Sequence, residues 1–231
     1  MNSFDTVILG ALTQLQLPPA VNHAIAVIAD LYTFKGYLLI PLLWWIWVQP
    51  HERRAWRREI VLATLASGLI ALAVGRLLAR CLPFRERPLF TPELHLHFAS
   101  SPVELAGLMH WSSFPSDHAM LWMAVATGIF IVWRGIGVLA LLSVAAFVCF
   151  PRAYLGYHYP TDLLAGALIG IVITWIMTRR AVRRRTVKPA MRYIMRYPGP
   201  AVALGFLLCF ELVTQFDDLL RLAHSVLHTA S

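Results

Sequence analysis

Seven residues in three short segments have the types and spacing to handle a phosphoryl group. The first segment is Arg80-Cys-Leu-Pro-Phe-Arg85-Glu-Arg87-Pro88 and the second is Phe114-Pro115-Ser116-Asp117-His118. The third is Arg152-Ala-Tyr-Leu-Gly-Tyr-His158-Tyr-Pro160-Thr-Asp162. A phosphoryl group in transfer spreads negative charge over its equatorial oxygens, so its catalysis is largely positioning and charge stabilisation. Arg80, Arg87 and Arg152 suit that task, because a guanidinium fork grips phosphate oxygens in bidentate fashion. Ser116 falls where a helix N-cap is expected, and the unpaired backbone N–H groups there bind anions. Pro160 suits the first turn of a helix, which puts Asp162 in that turn. From there Asp162 is expected to accept the His158 imidazole N–H and fix its tautomer. The other ring nitrogen is then available as a nucleophile. His118 is expected to protonate the leaving oxygen and later to activate water. No metal and no cofactor is required.

These segments need elements that gather them, and composition says which. At 231 residues, 58% hydrophobic and 14% charged, the chain is far more apolar than a soluble domain. Its charges are clumped between long apolar runs, the pattern of membrane spans of roughly 20 residues. The fold class is therefore all-α, a polytopic bundle of about six transmembrane helices in one domain, 1–231. Spans are expected within 21–49 and near 59–79, 117–133, 136–155, 161–178 and 200–217. Residues 1–20 read as an interfacial segment, 80–115 as a long loop with an apolar stretch near Leu105–Met109, and the tail to Ser231 as an amphipathic end. The N-terminus lacks a positively charged n-region, so the first span is expected to be an uncleaved anchor. Cys81, Cys149 and Cys209 are odd in number and far apart, and suggest neither a disulfide framework nor a zinc pair.

The formal net charge of +8 does not point to nucleic acid once the basic residues are placed. Arg53, Arg54, Arg57 and Arg58 form one cluster, Arg134 sits alone between apolar runs, and Arg179 to Arg196 forms another within the loop 179–198. Short basic segments beside spans mark the cytoplasmic side, which leaves the loop 80–115 and the turn 152–162 outside. Arg76, Arg80, Arg85, Arg87 and Arg152 then lie on the wrong side of that bias, and an anionic substrate explains why. The expected location is a plasma membrane, with the site facing the periplasm or exterior.

The three segments resemble the signatures of the type 2 phosphatidic acid phosphatase family, Lys-x6-Arg-Pro, Pro-Ser-Gly-His and Ser-Arg-x5-His-x3-Asp. The resemblance implies six membrane helices, a phosphohistidine on His158 and acid work by His118. It assigns phosphate binding to Arg80, Arg87, Ser116 and Arg152, and orientation of His158 to Asp162. Arg80 replaces the usual lysine, Pro151 the serine and Asp117 the glycine; Asp117 is expected to point away from the phosphate. The Ser-Phe-Pro-Ser-Asp-His run is similar to bacterial members that act on undecaprenyl diphosphate. The implied partners are a polyprenyl or phospholipid phosphate and the bilayer, with no nucleic acid. The alternatives are phosphatidic acid, phosphatidylglycerol phosphate or a lipid A phosphate as substrate, and a transporter that uses the arginines without catalysis.

Several residues fall outside these patterns. Arg85 is expected to meet lipid headgroups, and Asp30 and Lys35 to lie at the outer rim, unless Lys35 faces the site; Glu211 reads more readily as an outer-rim residue than as a proton relay. His95, His97, His110 and Trp111 read as loop residues, and Gly166 with Gly170, four apart, as helix packing.

Overall fold

The computed structural model describes all residues except 1, 16, 32, 100–105 and 217–231, and omits the side chains of 33, 34, 106 and 107. The expected amphipathic tail and the start of the apolar stretch at Leu105 lie outside the described residues. Among those residues the chain is all helical. In order come α1 (Ser3–Thr13), α2 (Pro19–Asp30), α3 (Leu39–Val48), α4 (Arg54–Cys81), α5 (Asp117–Val132) and α6 (Arg134–Val144). Then come α7 (Phe150–Tyr154), α8 (Pro160–Met177), α9 (Arg180–Arg185), α10 (Val187–Arg196) and α11 (Pro198–Thr214).

Among the described residues, three helical stretches are long and apolar enough to cross a membrane: Arg54–Cys81, Arg134–Tyr154 and Pro160–Met177. The second joins α6 to α7 through a π-helical turn, Ala145–Cys149. The expected first span is broken. α2 and the helix beginning at Lys35 meet at 66°, around a π-helical turn at Thr33–Tyr37. Gly36 in that turn is pressed against Trp122 and Val213. The third and sixth expected spans appear as shorter apolar helices, α5 and α11. At 16 residues, α5 rises only ~24 Å.

α5 is the centre of the bundle, packed against α4, α6 and α8. Met120, Leu121, Trp122, Ala124, Val125 and Ala126 are fully buried, as a helix apolar on all sides should be. The contact with α8 is backbone to backbone. A Cβ on Gly170 would stand 2.1 Å from the Met120 carbonyl oxygen, and one on Gly166 2.5 Å from that of Ser116. Glycine at these positions lets α8 approach the start of α5, where the second candidate segment lies.

α4 sets the axis of the molecule. Its 28 residues span ~42 Å. Near its start, Glu59 pairs with Arg183 of α9 at 2.6 Å, so two basic clusters meet at one end. The expected basic loop 179–198 is itself helical, as α9 and α10. The other end of α4 carries Arg76 and Arg80.

Candidate active site

The turn between α7 and α8 presents His158, which is 4% exposed. Its Nδ1 lies 2.8 Å from the Ser113 carbonyl oxygen. A carbonyl oxygen only accepts, so Nδ1 carries the proton and Nε2 holds the lone pair. Nε2 in turn lies 3.4 Å from Nη1 of Arg87. Burial, then the positive charge of Arg87, hold this imidazole well below the ordinary histidine range, so it is neutral at physiological pH. A neutral imidazole with its lone pair aimed at an arginine is poised to attack an anion held by that arginine.

Asp162 does not touch His158 as the sequence suggested. Its carboxylate folds back on its own helix, accepting from Tyr159 N at 3.0 Å and from Ser113 Oγ at 2.5 Å. Its other oxygen pairs with Arg85. The physical reason is local: a carboxylate in the first turn of α8 satisfies the unpaired N–H groups of that end. Asp162 therefore reaches His158 at one remove, by holding Ser113.

Arg85, expected at lipid headgroups, is engaged by two carboxylates of the protein. Its guanidinium joins Asp162 to Asp5 of α1, which lies 2.8 Å away, and it stacks 4.0 Å over the Tyr159 ring. Asp5 is fully buried and also accepts from Thr161 N at 2.9 Å and Thr161 Oγ1 at 2.7 Å. A chain of contacts thus runs from the N-terminal helix through Arg85 and Asp162 to Ser113 and His158.

The remaining predicted residues take distinct places. Arg87 donates to Tyr157 O at 2.8 Å and to Trp111 O at 3.3 Å. Arg152 is buried, donates to Val148 O at 3.2 Å, and lies within electrostatic range of Asp117, His118 and His158. Ser116 is the N-cap of α5, its Oγ accepting from Ala119 N. Arg80 stands apart at the exposed end of α4, its guanidinium 5.8 Å over the Trp111 ring. Trp111 is partly exposed.

Asp117 does not point away from the cationic cluster. Its Oδ1 lies 2.8 Å from His118 Nδ1 and accepts from His118 N at 2.7 Å, and Arg76, Arg87 and Arg152 all act on it electrostatically. Lys35 is not at the rim either. It is 3% exposed, donates to Asp30 O at 3.2 Å, and its charge acts on His118. Glu211 is only half-buried, in the last turn of α11. Among the described residues, no group of three His, Cys, Asp or Glu side chains is placed to hold a metal ion.

Sequence reasoning missed Ser113, Asp5 and the bridging role of Arg85. Ser113 precedes the second segment directly, and Arg85 occupies an unspecified position inside the first, so neither was marked by a motif. Asp5 is eighty residues from Arg85 and carried no local signal.

The PAP2 superfamily model matches residues 56–186, a stretch that contains all seven predicted site residues but not Asp5. YbjG of Escherichia coli (strain K12), whose name places it provisionally among undecaprenyl-diphosphatases, is 30% identical over 156 residues, 67% of this chain and 70% of its own. The undecaprenyl-diphosphatase BcrC of Bacillus subtilis (strain 168) is 26% identical over 163 residues, 69% of this chain and 75% of its own. Among solved structures, the crystal structure of Aquifex aeolicus LpxE aligns with a TM-score of 0.50 at 23% identity, covering 74% of this chain and 92% of that one. The two share a fold.

Proposed function

This chain belongs to the PAP2 superfamily, and on that premise we propose that it hydrolyses undecaprenyl diphosphate to undecaprenyl phosphate and inorganic phosphate. Membership makes it a multi-pass membrane lipid phosphatase, a phosphoric ester hydrolase. The choice of carrier lipid is the finer step. It is supported by the similarity to YbjG and BcrC and by the Ser113-Phe-Pro-Ser-Asp-His118 run.

One observation carries the catalytic assignment: His158 Nε2 faces Arg87 while Nδ1 is held by Ser113. In the proposed reaction, His158 Nε2 attacks the terminal phosphorus and the bond to the bridging oxygen breaks. His118 gives its Nε2 proton to that oxygen. Water then attacks the phosphohistidine, His118 takes the water proton, and the phosphorus–nitrogen bond breaks to release inorganic phosphate. Arg87 and Arg152 grip the phosphoryl oxygens, with Ser116 and Arg80 as further phosphate contacts. Asp162 orients His158 through Ser113. The arginines and backbone donors supply the charge stabilisation, so the scheme contains no metal.

The two basic clusters meet at the end of α4 remote from Arg76 and Arg80. Under the positive-inside bias, that favours a plasma-membrane protein whose site faces the periplasm or cell exterior.

Phosphate release from a panel of purified lipids tests the substrate. Undecaprenyl diphosphate is expected to be cleaved fastest, ahead of phosphatidic acid, phosphatidylglycerol phosphate and lipid A phosphates. Activity confined to a glycerophospholipid phosphate would sink the carrier-lipid assignment. Lipid movement without phosphate release would indicate a transporter.

A further inference from the structure

We propose that Asp117 is a positioning residue that fixes the tautomer and aim of His118, making the pair the proton carrier of both half-reactions. The proposal rests on the phosphatase reading above. The family signature carries glycine at this position, so the carboxylate is an addition to the common pattern rather than part of it.

The geometry is specific. Side chains one residue apart on a helix do not ordinarily face each other. Asp117 and His118 do, because both lie in the first turn of α5, where backbone N–H groups lack helical partners. The Asp117 carboxylate folds onto one of them, His118 N, at 2.7 Å, and the same Oδ1 takes the ring Nδ1 at 2.8 Å. One oxygen thus ties the imidazole to its own backbone. An ionised carboxylate only accepts, so Nδ1 carries hydrogen and Nε2 is the atom that exchanges protons.

The surroundings give the carboxylate a second task. Asp117, Arg152 and Lys35 all lie within electrostatic range of the His118 ring, and only the first of these is negative. Around Asp117 itself stand Arg76, Arg87 and Arg152. Its single negative charge is outnumbered there, so the cluster still attracts a phosphate. Asp117 stabilises the imidazolium that donates to the leaving oxygen, and then the one that forms when His118 takes the proton of water.

This predicts a dependence on leaving group that a packing role would not produce. A basic alkoxide needs the acid, whereas a weakly basic p-nitrophenolate leaves without it. Wild type, Asp117→Asn, Asp117→Gly and His118→Ala are purified as full chains in detergent. Each is assayed on an alkyl monophosphate and on p-nitrophenyl phosphate. For both Asp117 variants kcat/KM is expected to fall ~10²-fold on the alkyl substrate and less than ~3-fold on the aryl one, with His118→Ala showing the same split. Equal losses on both substrates, no loss on either, or no split in His118→Ala would overturn the proposal. Asp117→Asn is isosteric and removes the carboxylate charge, so it decides the matter if Asp117→Gly does not give a monodisperse protein. Failure of the wild type to release phosphate from any substrate would instead overturn the phosphatase reading.

Discussion

His158 is held by the backbone of Ser113, 2.8 Å from its Nδ1, and Asp162 acts on that histidine only by gripping the Ser113 hydroxyl at 2.5 Å. The usual two-member logic of an imidazole and its orienting carboxylate is here a three-member relay. Its consequences differ from those of a direct pair.

Ser113→Ala removes the tie to Asp162 but keeps the carbonyl that holds His158. Asp162→Asn places an amide donor against one of three donors, Ser113 Oγ, Tyr159 N or Arg85. A hydrogen bond to a charged group contributes roughly 1.5–3 kcal/mol. Ser113→Ala is therefore expected to lower kcat about tenfold, and Asp162→Asn by more, measured as phosphate release at saturating lipid. A direct Asp–His pair would predict a near-silent Ser113→Ala.

His158→Ala is expected to lose ~10³-fold or more of turnover, since removing a nucleophile disables the whole catalytic unit. Membrane insertion should be unchanged. Quenching wild-type turnover in alkali should trap labelled phosphate on the protein, and no label should appear on the variant. Full activity in His158→Ala would remove the nucleophile assignment.

The pH profile carries a sign. The attacking form of His158 is unprotonated, and burial together with Arg87 lowers its proton affinity in the free enzyme. That form therefore persists below the ordinary histidine range, so the acid limb of kcat/KM should fall below about pH 6.5. Arg87→Gln removes one cause of the depression and should move that limb to higher pH, besides weakening phosphate binding.

Asp5 and Arg85 test whether the N-terminal helix belongs to the catalytic unit. Asp5→Asn and Arg85→Met are each expected to lower kcat with KM little changed, and the double variant to lose less than the product of the single effects. A headgroup role for Arg85 would instead raise KM and leave Asp5→Asn silent.

Gly166→Ala should be costlier to activity than a change elsewhere on α8. Its Cβ would stand 2.5 Å from the Ser116 carbonyl oxygen, so the backbone that starts α5, and with it His118, must shift. A fall in both thermal midpoint and kcat is expected. Gly170→Ala meets the Met120 carbonyl oxygen, one turn further along α5, and should act mainly on stability.

The sequence by itself determined the helical class, the order of the apolar segments and the three motifs. Each of these is a short-range property: composition reports the membrane, and fixed spacing within a loop or first turn brings out residue types suited to phosphate. His158, His118, Arg87 and Arg152 were legible on those grounds, as was the glycine pair of α8. Only the tertiary structure decided how they are held. Asp162 was free, on spacing alone, to reach His158, and it turned instead to the donors of its own helix end. Arg85 looked like a rim cation because its partners, Asp5 and Asp162, lie eighty and seventy-seven residues away. Lys35 looked like an interruption near a span end, until the break between α2 and α3 folded it inward. Asp117 read as an unwelcome charge beside phosphate. Where several cations converge from separate helices, a carboxylate is stabilised by all of them at once, and that sum exists only after the chain has folded.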